Sequence, residues 1–334
     1  MSKKVRMSDI GQALGVSTVT VSKALAGKDG VSEAMRQKIL KLASEMGYQG
    51  KESSRAERGG ETVGILVAER FLAQGQSFYL SLYERVLANL SQRNLFGILE
   101  PVLWEDEEAC TVPRLVQNSR VQALILIGNM DTRYLEMIQR LELPVVQLDA
   151  YDARSRLDTV ISDGYYGMYR MTDYLIQRGH REIAYLGRIE ATSSIADRYF
   201  GYCRALQESN ISLRPEWVIP DRDEYGTFRF SLPEQMPTAF VCNCDAVAYT
   251  LVQMLKEQGY QVPEDVSVVA FDDYLFSNLS SPKITTYAVD MDGMARASVK
   301  QLLARWAEPG REREFRVVTG YLRVKDSVRM INRT

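Results

Sequence analysis

The chain runs to 334 residues yet contains only four cysteines, one histidine and ten prolines, and its formal charge is nearly balanced at −2. Each scarcity excludes something. With His180 as the sole imidazole, Cys110, Cys203, Cys242 and Cys244 have no partners for a zinc site, and four scattered thiols suggest a reducing compartment rather than a disulfide framework. Cys242 and Cys244 are expected to alternate along one strand and share a packing face. No metal and no cofactor is expected. No apolar run approaches the ~18 residues of a membrane helix, and the opening MSKKVRMSD lacks the apolar core of a signal peptide. A cytoplasmic location with no membrane partner follows as the expectation. The P-loop, GxGxxG, GxSxG and HExxH patterns are all missing as well.

What is present is unevenly spread. Residues 1–58 carry eleven Lys/Arg against six Asp/Glu, so the remainder carries thirty against thirty-seven. A basic head on an acidic body suits a nucleic-acid module joined to one that does not bind nucleic acid. An apolar content of 46% over this length predicts two or three domains.

The most informative stretch is SDIGQALGVSTVTVSKAL, Ser8 to Leu25. Ile10, Ala13 and Leu14 recur at helical spacing, Gly15-Val16 breaks the pattern, and Ser17 is placed to cap a second helix with Val21 and Leu25 inside. Two short helices joined by a glycine turn outline a helix-turn-helix. The outer face of the second helix presents Thr18, Val19, Ser22 and Lys23, hydroxyls, a methyl-bearing group and a cation suited to base edges in a major groove. A plain helical hairpin with a solvated polar face is the alternative. A third helix, SEAMRQKILKLASEMG, has Ser32 as its cap, Gly47 as its stop and Val31, Met35, Ile39, Leu42 and Met46 as one apolar stripe. That stripe would close a three-helix core.

The order Gly15-Val16-Ser17, Thr20-Val21-Ser22, Val31-Ser32 with Arg36, then Gly47-Tyr48 strongly resembles the LacI/GalR (Lac repressor) family of bacterial regulators. The resemblance implies a transcriptional repressor that binds a palindromic double-stranded DNA operator as a homodimer. It places Ser17, Thr18, Val19, Thr20, Ser22, Lys23 and Ser32 at the DNA. Lys23 stands where most relatives have arginine, which weakens a bidentate guanine contact. In the family, residues 49–61 hold a hinge with a proline and a wedging leucine; here Gly50 and Glu57 occupy those places. A glutamate cannot wedge between bases and is repelled by phosphates, so a tether with Lys51, Arg55 and Arg58 on one edge is expected instead.

From Thr62 onward, apolar strand patterns alternate with amphipathic helices, twice over. Such alternation predicts doubly wound parallel sheets. The tandem halves resemble the periplasmic-binding-protein-like body of the same family. The fold class is thus α/β, a three-helix head (1–48), a linker (49–61) and two subdomains, 62–162 plus 291–319 and 163–290 plus 320–332. No heptad tail follows Val324, so no C-terminal coiled coil is expected.

Ligands in such folds bind between lobes, at the carboxyl ends of strands. Those ends are polar here: Asp149, Asn243, Asp245, Asp272 and Asp273. Asp149, Arg198, Asp245 and Asp272 match the family's effector contacts, with Cys244 where relatives have Asn or Gly. Phe71, Phe78 and Tyr79 could form an aromatic wall. A sugar or sugar derivative is the effector the resemblance implies, an inducer by analogy. For Asp245, helix capping and ligand contact remain equally open; for Arg198 and Asp272 the ligand role is favoured. His180 reads as a turn-setting residue. Trp104, Trp217 and Trp306 read as packing groups, with Trp217 also a weak ligand candidate near Arg222. Tyr165, Tyr166, Tyr169 and Tyr174 read as core or interface. Two rivals are an effector-independent repressor and a carbohydrate-active enzyme using a carboxylate pair. The second leaves the basic head unexplained.

Overall fold

A computed structural model describes Val5 and residues 7–25, 30–46, 61–72, 78–223 and 226–331. The expectations placed on Gly47, Tyr48, Gly50, Lys51, Arg55, Glu57 and Arg58 lie outside the described residues. The chain divides into two compact units, Met1–Glu61 and Thr62–Thr334.

In the first unit, α1 (Met7–Leu14) ends at Gly15, whose φ of +64° is a conformation that glycine adopts without strain. The Val16 amide then donates back to the Gly11 carbonyl at 2.9 Å. A Cβ at Gly11 would stand 2.8 Å from the Val16 oxygen, so only glycine lets the turn close there. Ser17 caps α2 (Thr18–Leu25): its Oγ accepts from the Thr20 amide at 3.1 Å. Ile10, Val21 and Ala24 meet Ile39 and Ala43 of α3 (Glu33–Glu45) in one small core, with Leu14, Met35 and Leu42 half-buried around it. Ala13 is exposed, contrary to expectation, because the inner arc of α1 runs through Ile10, Gly11 and Leu14.

The second unit contains two six-stranded sheets. The first is built from β1 (Thr62–Ala68), β2 (Phe96–Val102), β3 (Ala123–Ile127), β4 (Val145–Leu148) and β5 (Asp158–Ser162), and takes one late strand from near the chain end. Between these strands lie α4 (Phe78–Ser91), α5 (Trp104–Glu108), α6 (Arg114–Gln117) and α7 (Thr132–Gln139). After Ser162 the chain leaves for the second sheet through α8 (Gly164–Gln177), β6 (Ile183–Leu186), α9 (Ser193–Glu208), β7 (Val218–Ile219), β8 (Ala239–Cys242), α10 (Asp245–Glu257), β9 (Ser267–Asp272), α11 (Leu275–Leu279) and β10 (Thr285–Ala288). It returns with α12 (Met291–Ala307) and β11 (Phe315–Val318), then crosses once more to end in β12 (Tyr321–Arg323). The sheet orders are β11-β5-β4-β3-β1-β2 and β12-β10-β9-β8-β6-β7. All pairings are parallel except β12 against β10, an antiparallel edge that the strand-helix alternation did not predict.

Both sheets are covered on both faces, and strand alternation explains why their sequences read as unbroken apolar runs. On β1, Val63, Ile65 and Val67 face α4 and α12 while Leu66 faces the opposite core with Leu124 and Leu126. On β8, Ala239 and Val241 face one core and Phe240 and Cys242 the other. β8 ends at Cys242 and Cys244 sits at the N-cap of α10, so the two thiols do not alternate on one strand as expected, although both pack against the same core.

Trp217 takes the packing role expected of it and loses the ligand one. It is only 3% exposed, packed under the second sheet with Nε1 donating to the Gln235 carbonyl, and so is no ligand candidate. Trp104 departs the other way, 60% exposed beside the Arg70 guanidinium, whereas Trp306 packs on the first core. The α8 tyrosines divide: Tyr174 is buried, while Tyr165 and Tyr166 are exposed. His180 is fully buried, with Nδ1 3.0 Å from Thr238 Oγ1 and Nε2 3.3 Å from the Arg329 carbonyl oxygen. Burial holds its imidazole down at about 4, which keeps it neutral.

Candidate functional site

A cavity of about 440 Å³ opens between the two sheets, at the carboxyl ends of their strands. From the first sheet come Arg70 and Phe71, just past β1, then Phe78 and Tyr79 at the start of α4, and Asp149 just past β4. From the second come Arg198 on α9, Arg222, Asn243, Asp245 and Asp272. Of the residues named from sequence, Phe71, Phe78, Tyr79, Asp149, Arg198, Asn243, Asp245 and Asp272 therefore line one space, whereas Asp273 and Trp217 do not.

Burial and ion pairing set the chemistry of this space. Arg198 is 5% exposed; it donates to the Asn243 carbonyl at 2.7 Å and to Asp272 Oδ1 at 3.4 Å, and its guanidinium lies 4.0 Å over the Phe271 ring. Its Nε has no hydrogen-bond partner among the described residues. Asp149 accepts from Ser162 Oγ at 3.0 Å. Asp149, Asp272 and Asp273 all have positive φ (+60°, +114° and +50°), backbone strain gathered at the strand ends that face the cavity.

Desolvation dominates the titration of these groups. Burial pushes Asp272 up to about 7, with Asp149 adding repulsion and Arg198 and Arg222 opposing it. Burial also raises Asp149, against the pull of Arg198. Arg198 itself is disfavoured as a cation by burial, but Asp272 and Asp149 outweigh that and hold it charged. Half-buried Tyr79 is raised well above its ordinary value, by desolvation first and by Asp149 next.

Asp245 is not a cap. α10 begins at Asp245 itself, with Cys244 in the capping position. The Asp245 carboxylate instead accepts from the Tyr274 amide at 2.8 Å and from Thr286 Oγ1 at 2.6 Å, tying the start of α10 to the loop after β9 and to strand β10. Burial and the nearby Asp272 raise its carboxyl well above the usual range.

Two functional groups escaped sequence reading. Asp221, fully buried, takes Arg222 at 2.6 Å, the Arg188 amide at 2.8 Å and Asn243 Nδ2 at 2.7 Å. Arg70 pairs with buried Glu107 and donates to the Asn129 carbonyl at 2.6 Å. Neither lies in a periodic segment, so the only available signal was charge within loops that follow strands.

On the first unit, Ser17, Thr18, Val19, Ser22, Lys23 and Ser32 are exposed and Thr20 is half-buried. Val19 is 62% exposed, which no packing role explains. α2 thus presents a side of hydroxyls, one apolar side chain and one cation, with Val21 and Ala24 turned inward.

Residues 6–50 match the model of the bacterial regulatory proteins of the lacI family, and residues 172–328 match a periplasmic binding protein-like domain. The chain belongs to the LacI family. Similar proteins include the ribose operon repressor of Haemophilus influenzae, 27% identical over 317 residues covering 91% of this chain and 92% of that one. Another is the transcriptional repressor PurR of Vibrio vulnificus, 26% identical over 335 residues, covering 98% and 99%. Among solved structures, the regulator CelR in complex with cellobiose aligns with a TM-score of 0.68 at 21% identity, over 97% of this chain and all of that one. The Lac repressor dimer bound to operator and an anti-inducer aligns with 0.66 at 20%, over 98% and 100%. At such identities the structural likeness speaks for the fold. As a LacI-family member the chain is a DNA-binding transcriptional regulator, and not the carbohydrate-active enzyme considered above. Among the described residues, no helix is long and apolar enough to cross a membrane, and no group of acidic, His or Cys side chains could hold a metal.

Proposed function

We propose that this LacI-family protein is a repressor of a carbohydrate-utilisation operon, acting in the cytoplasm as a homodimer on a palindromic operator and released by a small sugar-like effector. The observation that carries the reading is the buried Arg198–Asp272 pair facing Asp149 across a cavity, with a hydrogen-bonding Nε left over. Carboxylates accept hydroxyl protons, arginine donates in return, and Phe71 and Phe78 offer faces to C–H surfaces.

The lobes that move are 62–162 plus 291–319 and 163–290 plus 320–332, so effector binding changes the angle between them and, through the dimer, the spacing of the heads. Edge strand β2 supports pairing with a second copy, since Phe96 is 64% and Ile98 40% exposed on one face of it. On the DNA, Lys23 meets guanine or phosphate, Thr18, Val19 and Ser22 meet base edges and methyls, and Ser17, Thr20 and Ser32 hold phosphates.

Selection of bound duplexes from a random library, followed by titration of the complex with neutral sugars, tests the reading. Enrichment of a palindrome whose complex dissociates with one sugar supports it. No enriched sequence, or an operator complex indifferent to every sugar, overturns it, the latter in favour of the effector-independent repressor.

A further inference from the structure

Each arginine in the cavity wall already holds a carboxylate. Arg198 holds Asp272, Arg222 holds Asp221 and Arg70 holds Glu107. Asp149 and Asp245 are then surplus: among the described residues, the wall and the layer behind it carry five carboxylates against three guanidinium groups. Each guanidinium also lies over an aromatic ring, Arg198 at 4.0 Å from Phe271, Arg222 at 5.1 Å from Phe228 and Arg70 at 4.9 Å from Phe71. Those faces fix the cations where their carboxylates are.

We infer that the cleft selects uncharged, polyhydroxylated ligands and rejects their carboxylated and phosphorylated counterparts. This rests on the effector reading above and narrows it. An anionic ligand meets guanidinium groups whose charge is already answered, and it adds a further negative charge beside Asp149 and Asp272 in a desolvated site. A hydroxyl has no such conflict: it donates to Asp149 or Asp272, whose oxygens have room for further donors, and accepts from Arg198 Nε–H. The raised titration of Asp149, Asp245 and Asp272 agrees with a site that is short of positive charge. An adjoining chamber of about 360 Å³ is lined by Arg133, which holds Asp131 at 3.2 Å, and by Arg188, Glu108, Glu190 and Asp223.

Calorimetric titration of the full chain with matched pairs tests the inference: glucose with glucuronate and glucose 6-phosphate, galactose with galacturonate, ribose with ribose 5-phosphate, and cellobiose. The expected result is that a neutral sugar binds, while its carboxylated or phosphorylated counterpart binds at least about 100-fold more weakly. Asp149→Asn should narrow that ratio. An acid or phosphate that binds as tightly as its neutral parent overturns the inference and leaves the effector reading standing. Binding by no member of the panel overturns both.

Discussion

Lys23 on α2 stands in solvent with neighbours that touch little else, whereas Arg198 on α9 is 5% exposed and bound to a carboxylate, a carbonyl and an aromatic ring. In the function proposed above the two cations belong to the operator-facing and the effector-facing surfaces, and their surroundings differ for a physical reason. A surface that must lie against an open polymer is kept hydrated and mutually independent. A cleft that must recognise a small molecule is desolvated, so every charge in it has to be answered by another. Substitutions on α2 should therefore change binding without changing stability, while substitutions in the cleft should change both.

The largest effect to expect is at Arg198. Replacing it with Ala strands Asp272 and Asp149 in a buried site, a loss of about 3–5 kcal/mol in chemical denaturation together with loss of the sugar response. A destabilisation below about 1 kcal/mol would show that the cleft is wetter than its burial implies. Next comes Lys23→Ala, which should weaken operator binding by about 1–3 kcal/mol and lower the slope of log K against log salt by about 1, with the melting temperature unchanged. An unchanged footprint and slope would remove Lys23 from the DNA.

Proton linkage distinguishes the buried groups from one another. Asp272, raised to about 7, stabilises the fold fully below about pH 4, and that contribution disappears as pH climbs through 7. His180, held at about 4, acts in the opposite sense: its contribution is complete above about pH 6.5 and fades as pH falls through 4. The two slopes oppose each other between about pH 4 and 6.5, with Asp149 and Asp245 adding to that of Asp272, so removing either group should tilt the profile of the intact protein there. Asp272→Asn should unmask acid destabilisation and His180→Gln alkaline destabilisation in melting temperatures measured across that range. Parallel profiles for all three proteins would refute the assignment. The smallest effect is Ser17→Ala, a cost of about 1 kcal/mol in the head alone through loss of the α2 cap, read as a lower melting temperature for its helical signal.

Much of this was legible in the residues themselves. The Gly15 turn, the Ser17 cap and the inward positions Val21 and Ile39 follow from local rules, because a short helix pair is specified by its caps and its period. The unbroken apolar strands announced sheets covered on both faces. The polar residues at strand ends, Asp272 among them, pointed to the cleft, and the family resemblance pointed to Arg198 on its helix; both line the cavity. Of the two roles left open for Asp245, capping falls away, which local sequence could not decide because its partners, Tyr274 and Thr286, lie 29 and 41 residues away. Trp217 packs as its sequence suggests, and its weaker ligand alternative fails since proximity in sequence to Arg222 says nothing about which side of a sheet a ring faces. Asp221 and Arg70 were overlooked because loop charges carry no periodicity.

The sequence by itself determined the modules, their order and the alternation of strand and helix, since these depend on propensity, capping and hydrophobic period over a few turns of chain. It also carried the family resemblance, in motifs of the head. Only tertiary structure decided which carboxylate holds which arginine, and hence that the cleft's cations are already taken. That outcome comes from pairings between residues far apart in the chain, made strong by the exclusion of water, and no local pattern encodes it.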